Sequence, residues 1–300
     1  MPVRREPSLH PQVPTARDRQ LGLLLGLVGV ASFSLTLPAT RAAVAGLDPV
    51  FVGLGRAVVA AVLAAIVLIA TRAPWPGRAC VPALAVVAGG VVVGFPLFSA
   101  WAMRRVPATH GAIVVGLLPL ATALAAAWLA RERPSRTFWR CAVAGSAVVV
   151  GFALWEGGGS FHLADLLLVA AVAAAAIGYA EGGRLARTLG GWQVICWALV
   201  LAAPVMLVPT LLAADARLLT APASAWAGFA YVSVVSMFLG FFAWYRGLAL
   251  GGIAAVGQVQ LLQPFLTIFA SAWLLGESID AATVVAAALV IAIIAIGRRA

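Results

Sequence analysis

Pro119-Leu-Ala-Thr-Ala-Leu-Ala-Ala-Ala-Trp-Leu-Ala-Arg-Glu132 recurs 145 residues later as Pro264-Phe-Leu-Thr-Ile-Phe-Ala-Ser-Ala-Trp-Leu-Leu-Gly-Glu277. Seven of the fourteen positions are identical: the proline, the threonine, two alanines, the tryptophan, a leucine and the glutamate. Each copy closes an apolar run of about 20 residues, the length that crosses a bilayer as a helix. Self-similarity at half the chain length means two similar halves, and the rest of the sequence can be laid out around that spacing.

The surrounding composition sets the class. The chain is 63% hydrophobic and 10% charged, where soluble domains carry about 25% charged residues. With a mean hydropathy of +1.05, it reads as an all-α polytopic membrane protein. All 20 basic residues are arginine, and the sequence contains no lysine and no asparagine. Its Ala, Gly, Val and Arg excess suggests a high-GC bacterial genome, and hence a multi-pass protein of the cytoplasmic (inner) membrane. The net charge of +10 reads as arginine anchors in cytoplasmic loops, so the bilayer is a partner and nucleic acid is not. Cys80, Cys141 and Cys196 are isolated and have no Cys/His cluster near them. They read as small buried hydrophobes, with no metal site and no disulfide framework. Residues 1–20 are polar, rich in Pro and Arg, and read as a disordered cytoplasmic tail. A signal peptide ending near Ala43-Val-Ala45 is the competing reading. It is disfavoured because the apolar stretch from Leu21 to Pro38 is long for a signal core, and because cleavage would remove one helix and break the repeat.

Ten apolar segments can be cut at Gly, Pro and Arg clusters: 21–40, 50–71, 80–102, 107–130, 137–155, 163–183, 191–213, 225–246, 253–275 and 281–297. With the N-terminus cytoplasmic, fifteen arginines fall inside and four (Arg41, Arg104, Arg105 and Arg217) outside, which favours N-in and C-in. Arg56 falls within a span. Five helices per half is an odd number, so the halves enter the membrane from opposite sides as inverted repeats. The first repeat is 21–156, the external linker 157–162 and the second repeat 163–300.

These residues resemble a known group. A proline, twelve residues and a glutamate end the fourth helix of each half; Arg56 stands early in the second helix; Trp244-Tyr245-Arg246-Gly-Leu-Ala-Leu-Gly-Gly closes the eighth. Together they look like the EamA-type permeases of the drug/metabolite transporter superfamily, over nearly all of 20–297. Ala108-Thr109-His110 is similar to the aromatic amino acid exporter branch. The resemblance implies a ten-helix basket with a central cavity between the halves, and export of amino acids, other metabolites or drugs. It also leans toward a structural role for Arg56.

Several polar residues are candidates for lining that cavity. Gln258, Gln260 and Gln263 crowd the ninth helix, where amides are costly unless bonded. They can bond a solute or act as interhelical glue, and Gln263 can instead serve the carbonyl left free by Pro264. His110 opens the fourth helix and can bind a carboxylate, carry a proton or simply end a helix near the interface. Trp101, Tyr179, Trp244 and Tyr245 form either an aromatic cavity wall or the interfacial belt, with Tyr179 the deepest. Arg56 is a substrate or gating charge, or it snorkels to the surface or pairs with Asp48. Glu181 is spaced to pair with Arg184. Glu132 and Glu277 are expected to cap the next helix or its turn, and Pro119 and Pro264 to act as paired hinges.

No Walker A pattern occurs, so ATP drive is not encoded here. A membrane-embedded enzyme is a disfavoured alternative because no HExxH or GxSxG occurs, a channel is disfavoured because no filter is visible, and no cofactor or catalytic residue is expected. Few carboxylates are expected to be buried, which favours a uniporter-like mechanism over ion coupling. The expected activity is secondary transport of small metabolites by alternating access, foremost export of amino acids, with amphipathic drugs or other metabolites as the alternative. Direction, coupling and oligomeric state stay open, and a monomer is compatible with the sequence.

Overall fold

The computed structural model describes residues 15–133, 135–156 and 162–297. Most of the expected tail, the glycines of the linker and the terminal Arg298 and Arg299 lie outside them. Among the described residues there is no strand. The helical segments are α1 (Ala16–Gly46), α2 (Pro49–Ala70), α3 (Arg78–Met103), α4 (Ala108–Leu129), α5 (Arg136–Glu156), α6 (Leu163–Leu189), α7 (Gly191–Leu212), α8 (Ala223–Gly251), α9 (Ile253–Leu275) and α10 (Ala281–Gly297). Among the described residues, eight of these segments, α1–α4 and α6–α9, are long and apolar enough to cross a membrane. One further helical turn, Arg217–Thr220, lies between α7 and α8.

The ends differ from the apolar windows for identifiable reasons. Residues 16–20, assigned by composition to the tail, are helical. Thr15 Oγ1 accepts the Asp18 N–H while the Asp18 carboxylate accepts the Thr15 N–H, a reciprocal cap that starts α1 early. At the other ends, α6 runs on to Gly190 and α8 to Gly252, whose φ values of 93° and 88° only glycine adopts without strain. The helices therefore stop where the backbone can turn, past the point where the apolar residues thin out.

The packing pairs the segments in a regular way. α1 lies against α8 and α3 against α6; α2 lies against α7 and α5 against α10; α9 contacts α1 and α4 contacts α6. Matching α1–α5 with α6–α10 in order, each of these contacts is either its own counterpart or has one. Close approach depends on small residues, as expected where lipid supplies no hydrophobic drive between helices. A Cβ on Gly22 of α1 would sit 2.7 Å from the Gly251 nitrogen of α8. In the counterpart contact, one on Gly90 of α3 would sit 2.9 Å from the Gly178 Cα of α6.

Several helices are interrupted at matched depth. α4 loses α-helical form at Gly116 and Leu117, and α9 tightens to a 3₁₀ turn over Gln258–Leu262. Both breaks sit in the turn before the motif prolines, whose rings would clash, in an uninterrupted α-helix, with the carbonyls of Val115 and Gln260 four residues back. α3 and α8 each carry a π-helical stretch, Ala88–Gly94 and Val232–Leu239. Such wide turns release side chains from the regular helical register and recur at functional sites.

Candidate functional site

An enclosed cavity lies between the first three helices and α6, α8 and α9. Phe33 and Thr36 of α1, Arg56 of α2, and Val91 and Phe95 of α3 form one side. Ala175 and Tyr179 of α6, Ser236, Met237 and Phe241 of α8, and Gln263 of α9 form the other. Both π stretches reach it, through Val91 and through Ser236 with Met237, and Val91 and Ser236 stand 145 residues apart, the spacing of the motif. The cavity measures about 20 Å³, room for about one water. A larger solute can enter only if the two sides move away from each other.

The walls are aromatic. Tyr179 stacks on Phe33 at 6.2 Å and meets Phe241 at 6.0 Å and Trp244 at 5.3 Å. The polar groups are few and specific. Thr36 and Ser236 hydroxyls bond each other at 2.8 Å across the cavity edge. Gln263 is buried with its Oε1 unpartnered, and Arg56 is 1% exposed with all three guanidinium nitrogens unpartnered. Asp48, the suggested partner of Arg56, is engaged elsewhere. It caps α2 by accepting the Val50 N–H at 2.8 Å and takes Arg217 at 3.3 Å. Snorkelling is excluded by the same burial, so Arg56 points inward as a buried charge with no protein partner.

The other candidates are dispersed. Gln260 Oε1 receives the Thr122 hydroxyl of α4 at 3.4 Å, while its Nε2 and the Oε1 of Gln258 are buried and unpartnered. Trp244 packs behind Tyr179, and Tyr245 donates its hydroxyl to the Gly178 carbonyl at 3.0 Å; neither lines the cavity. Trp101 lies outside it, in a surface cleft of about 410 Å³ with Arg104, Arg105 and Asp48. His110 is buried, and its Nε2 meets Asp165 Oδ1 at 2.7 Å, a partner in α6 that its sequence neighbours do not reveal. Glu181 bonds Arg184 at 2.9 Å, as its spacing suggested.

Glu132 and Glu277 do cap helices, but not the ones that follow them in the chain. Glu277, after α9, accepts the Ala108 and Thr109 N–H groups that start α4, both at 2.9 Å. Glu132, after α4, accepts the Ile253 and Ala254 N–H groups that start α9, at 3.1 and 2.9 Å. A carboxylate suits a helix N-terminus, where free N–H groups and the positive dipole end coincide. An arginine attends each. Arg187, ending α6, reaches Glu132 at 2.8 Å; Arg41, near the end of α1, lies 4.0 Å from Glu277 and donates to the Met103 and Val106 carbonyls. The two clusters sit at opposite ends of α4 and α9. A cleft of about 490 Å³ opens beside the Arg41–Glu277 cluster, with Arg104 on its wall.

Sequence reasoning missed the apolar lining. Phe33, Val91, Phe95 and Phe241 have no signature that separates a cavity wall from a core. The Gly89-Gly90 pair inside α3 was the available hint of irregular backbone. Among the described residues no group of three or more His, Cys, Asp or Glu is placed to hold a metal.

Comparison with known proteins places this geometry. The model of the EamA-like transporter family matches residues 20–158 and 162–297. An uncharacterized transporter of Bacillus subtilis, YdeK, is 46% identical over 278 residues, 93% of this chain and 97% of its own length. A protein of Streptantibioticus cattleyicolor named "Probable terminal-alkyne amino-acid exporter" is 28% identical, covering 90% of this chain and 91% of that one. A solved crystal structure superposes with a TM-score of 0.71 at 18% identity, over 92% of this chain and 98% of its own, a likeness of fold alone.

Proposed function

Because the chain belongs to the EamA-like transporter family and is a membrane-embedded transporter, we propose that it exports amino acids by alternating access. The solute passes through the cavity between two inverted five-helix repeats. In this reading α5 and α10 also span the bilayer, both termini are cytoplasmic, and the membrane is the bacterial inner membrane. The carrying observation is the cavity itself: polar side chains from both halves, Arg56 and Thr36 on one side and Gln263, Tyr179 and Ser236 on the other, converge on one enclosed space with aromatic walls. Such midplane sites, bordered by interrupted helices, are where transporters built of repeats hold their solutes. The exporter named among the relatives supports amino acids as the class. The phenyl-rich lining favours those with apolar side chains.

The test is uptake of a radiolabelled amino acid panel into proteoliposomes, with and without a pH gradient, comparing wild type with Gln263→Ala. Saturable uptake of apolar amino acids, weakened by the substitution, is the expected result. A response to the gradient would add proton coupling. No uptake above empty liposomes, from protein shown to be folded, would sink the amino acid assignment.

A further inference from the structure

We infer that Arg56 is the ligand for a carboxylate on the solute, and that the carboxylate, not the amine, is the group this transporter recognises. The inference rests on the cavity being the solute site and specifies what it selects. Arg56 is the eighth residue of α2, about 10 Å along the helix from its start. It is 1% exposed, and none of its guanidinium nitrogens has a hydrogen-bond partner. A buried charge is held in proteins by a partner that repays its desolvation. One water fits the cavity, and a water can take an N–H or two but leaves the charge uncompensated. Of the charged groups among the lining residues, Arg56 stands alone; no carboxylate is present to neutralise it.

Carboxylates on the neighbouring helices α2 and α6 are engaged with other groups. Asp48 caps α2 and holds Arg217, Asp165 meets His110, and Glu181 takes Arg184. The planar fork of a guanidinium matches a carboxylate in two parallel bonds, so the missing partner has a definite shape. The rest of the lining says what the solute carries besides. Phe33, Phe95, Tyr179 and Phe241 suit an apolar or aromatic body. For an ammonium group the lining offers only neutral acceptors, chiefly the unpartnered Gln263 Oε1. An amino acid would pair its carboxylate with Arg56 and leave its ammonium to those neutral acceptors, so the amine should add little and its removal should cost little.

Three probes separate the two groups: L-phenylalanine, its deaminated counterpart 3-phenylpropanoate, and its carboxylate-blocked counterpart L-phenylalaninamide. Each is added to the purified protein in detergent while the unfolding temperature is followed, and each is then used to compete with uptake in proteoliposomes. The two carboxylates should raise the unfolding temperature and compete; the amide should do neither. In Arg56→Gln the carboxylate response should weaken about tenfold or more, the size of a charge-assisted hydrogen bond. Arg56→Lys, which keeps the charge and loses the fork, should fall between.

A second readout excludes a merely structural arginine. A buried charge without a partner is a strain on the empty protein, so Arg56→Gln should unfold at the same or a higher temperature than wild type when no probe is present. Stabilisation by the amide equal to that by the acids would overturn the inference and leave the transport reading intact. So would a lower unfolding temperature of solute-free Arg56→Gln with its phenylalanine response preserved. Binding of phenylalanine without any response to 3-phenylpropanoate would overturn it too, by making the amine essential. No response of wild type to any of the three would overturn it together with the cavity as an apolar amino acid site.

Discussion

Glu132 and Glu277 show what a single side chain contributes here. Each carboxylate satisfies two N–H groups of a helix start in the opposite half; Glu132 also holds Arg187, and Arg41 lies 4.0 Å from Glu277. Removing such a cap leaves two donors without a partner, and caps of this kind are worth about 1–2 kcal/mol. Glu277→Ala and Glu132→Ala should therefore each lower the unfolding temperature, and Glu277→Gln, which keeps one acceptor oxygen, should lower it less. An alanine variant with unchanged thermal stability would show the caps to be energetically idle. That the glutamates are structural could be read from their place in the repeat. Their partners could not, because no local spacing connects residue 277 with residue 108. His110 is a similar case: its chemistry was plain, whereas Asp165 is brought to it only by the packing of α4 on α6. Arg56 was legible as an anomaly but its surroundings were left open, since a charge eight residues into a helix looks near enough to the surface to escape, and only the packed neighbouring helices show that it does not.

At the scale of helices, the interruptions follow from residues that were visible, though their form was not. Pro119 and Pro264 announce breaks in α4 and α9 by removing a donor and crowding the carbonyl one turn back. The 3₁₀ turn over Gln258–Leu262 is the backbone's answer. In Pro264→Ala an N–H is restored that can take the Gln260 carbonyl from the Gln263 N–H, which holds it in the 3₁₀ turn, and the segment is free to run on as α-helix. The expected outcome is a severalfold slower transport turnover with an unfolding temperature held or raised. Equal turnover in the two proteins would remove the hinge role. A second prediction concerns contact between helices. Gly22 has backbone of α8 at 2.7 Å from where a Cβ would stand, and backbone cannot swing aside as a flexible side chain can. Gly22→Leu should force α1 from α8 and cost at least the 1–3 kcal/mol typical of overpacking, read as lower thermal stability and lower yield of folded protein. Of the ten expected spans, the eight that are long and apolar enough to cross a membrane among the described residues were legible because hydrophobic runs of that length are a strong signal. The ends were less so, because helices stop at glycines such as Gly190 and Gly252 rather than where hydropathy falls.

Across the whole molecule, the repeat visible in one fourteen-residue motif reappears as paired contacts, paired π stretches and paired caps. The caps occupy opposite ends of the bundle: Arg41, Glu277 and the start of α4 at one, and Arg187, Glu132 and the start of α9 at the other. Each ties the tip of one half to the other half. In the orientation proposed above, with cytoplasmic termini, the Arg187–Glu132 cluster would lie at the inner mouth and the Arg41–Glu277 cluster at the outer. The cavity between them is too small for a solute, so in the alternating access proposed above loading opens one cluster while the other holds. A tie that is lost on one side raises the population of the state open on that side by the free energy it contributed. Arg187→Ala should therefore favour the inward-open form and Arg41→Ala the outward-open form. The comparison is made in a background with the native cysteines replaced, by introducing one cysteine in place of Ser236 at the cavity. Its labelling by a membrane-impermeant thiol reagent is then measured from each side of oriented vesicles. Arg41→Ala should speed labelling from outside and slow it from inside, and Arg187→Ala should do the reverse. Both substitutions speeding labelling from the same side would mean that the clusters stabilise the fold without gating it, and the symmetry of the caps would then be a relic of duplication with no role in the transport cycle.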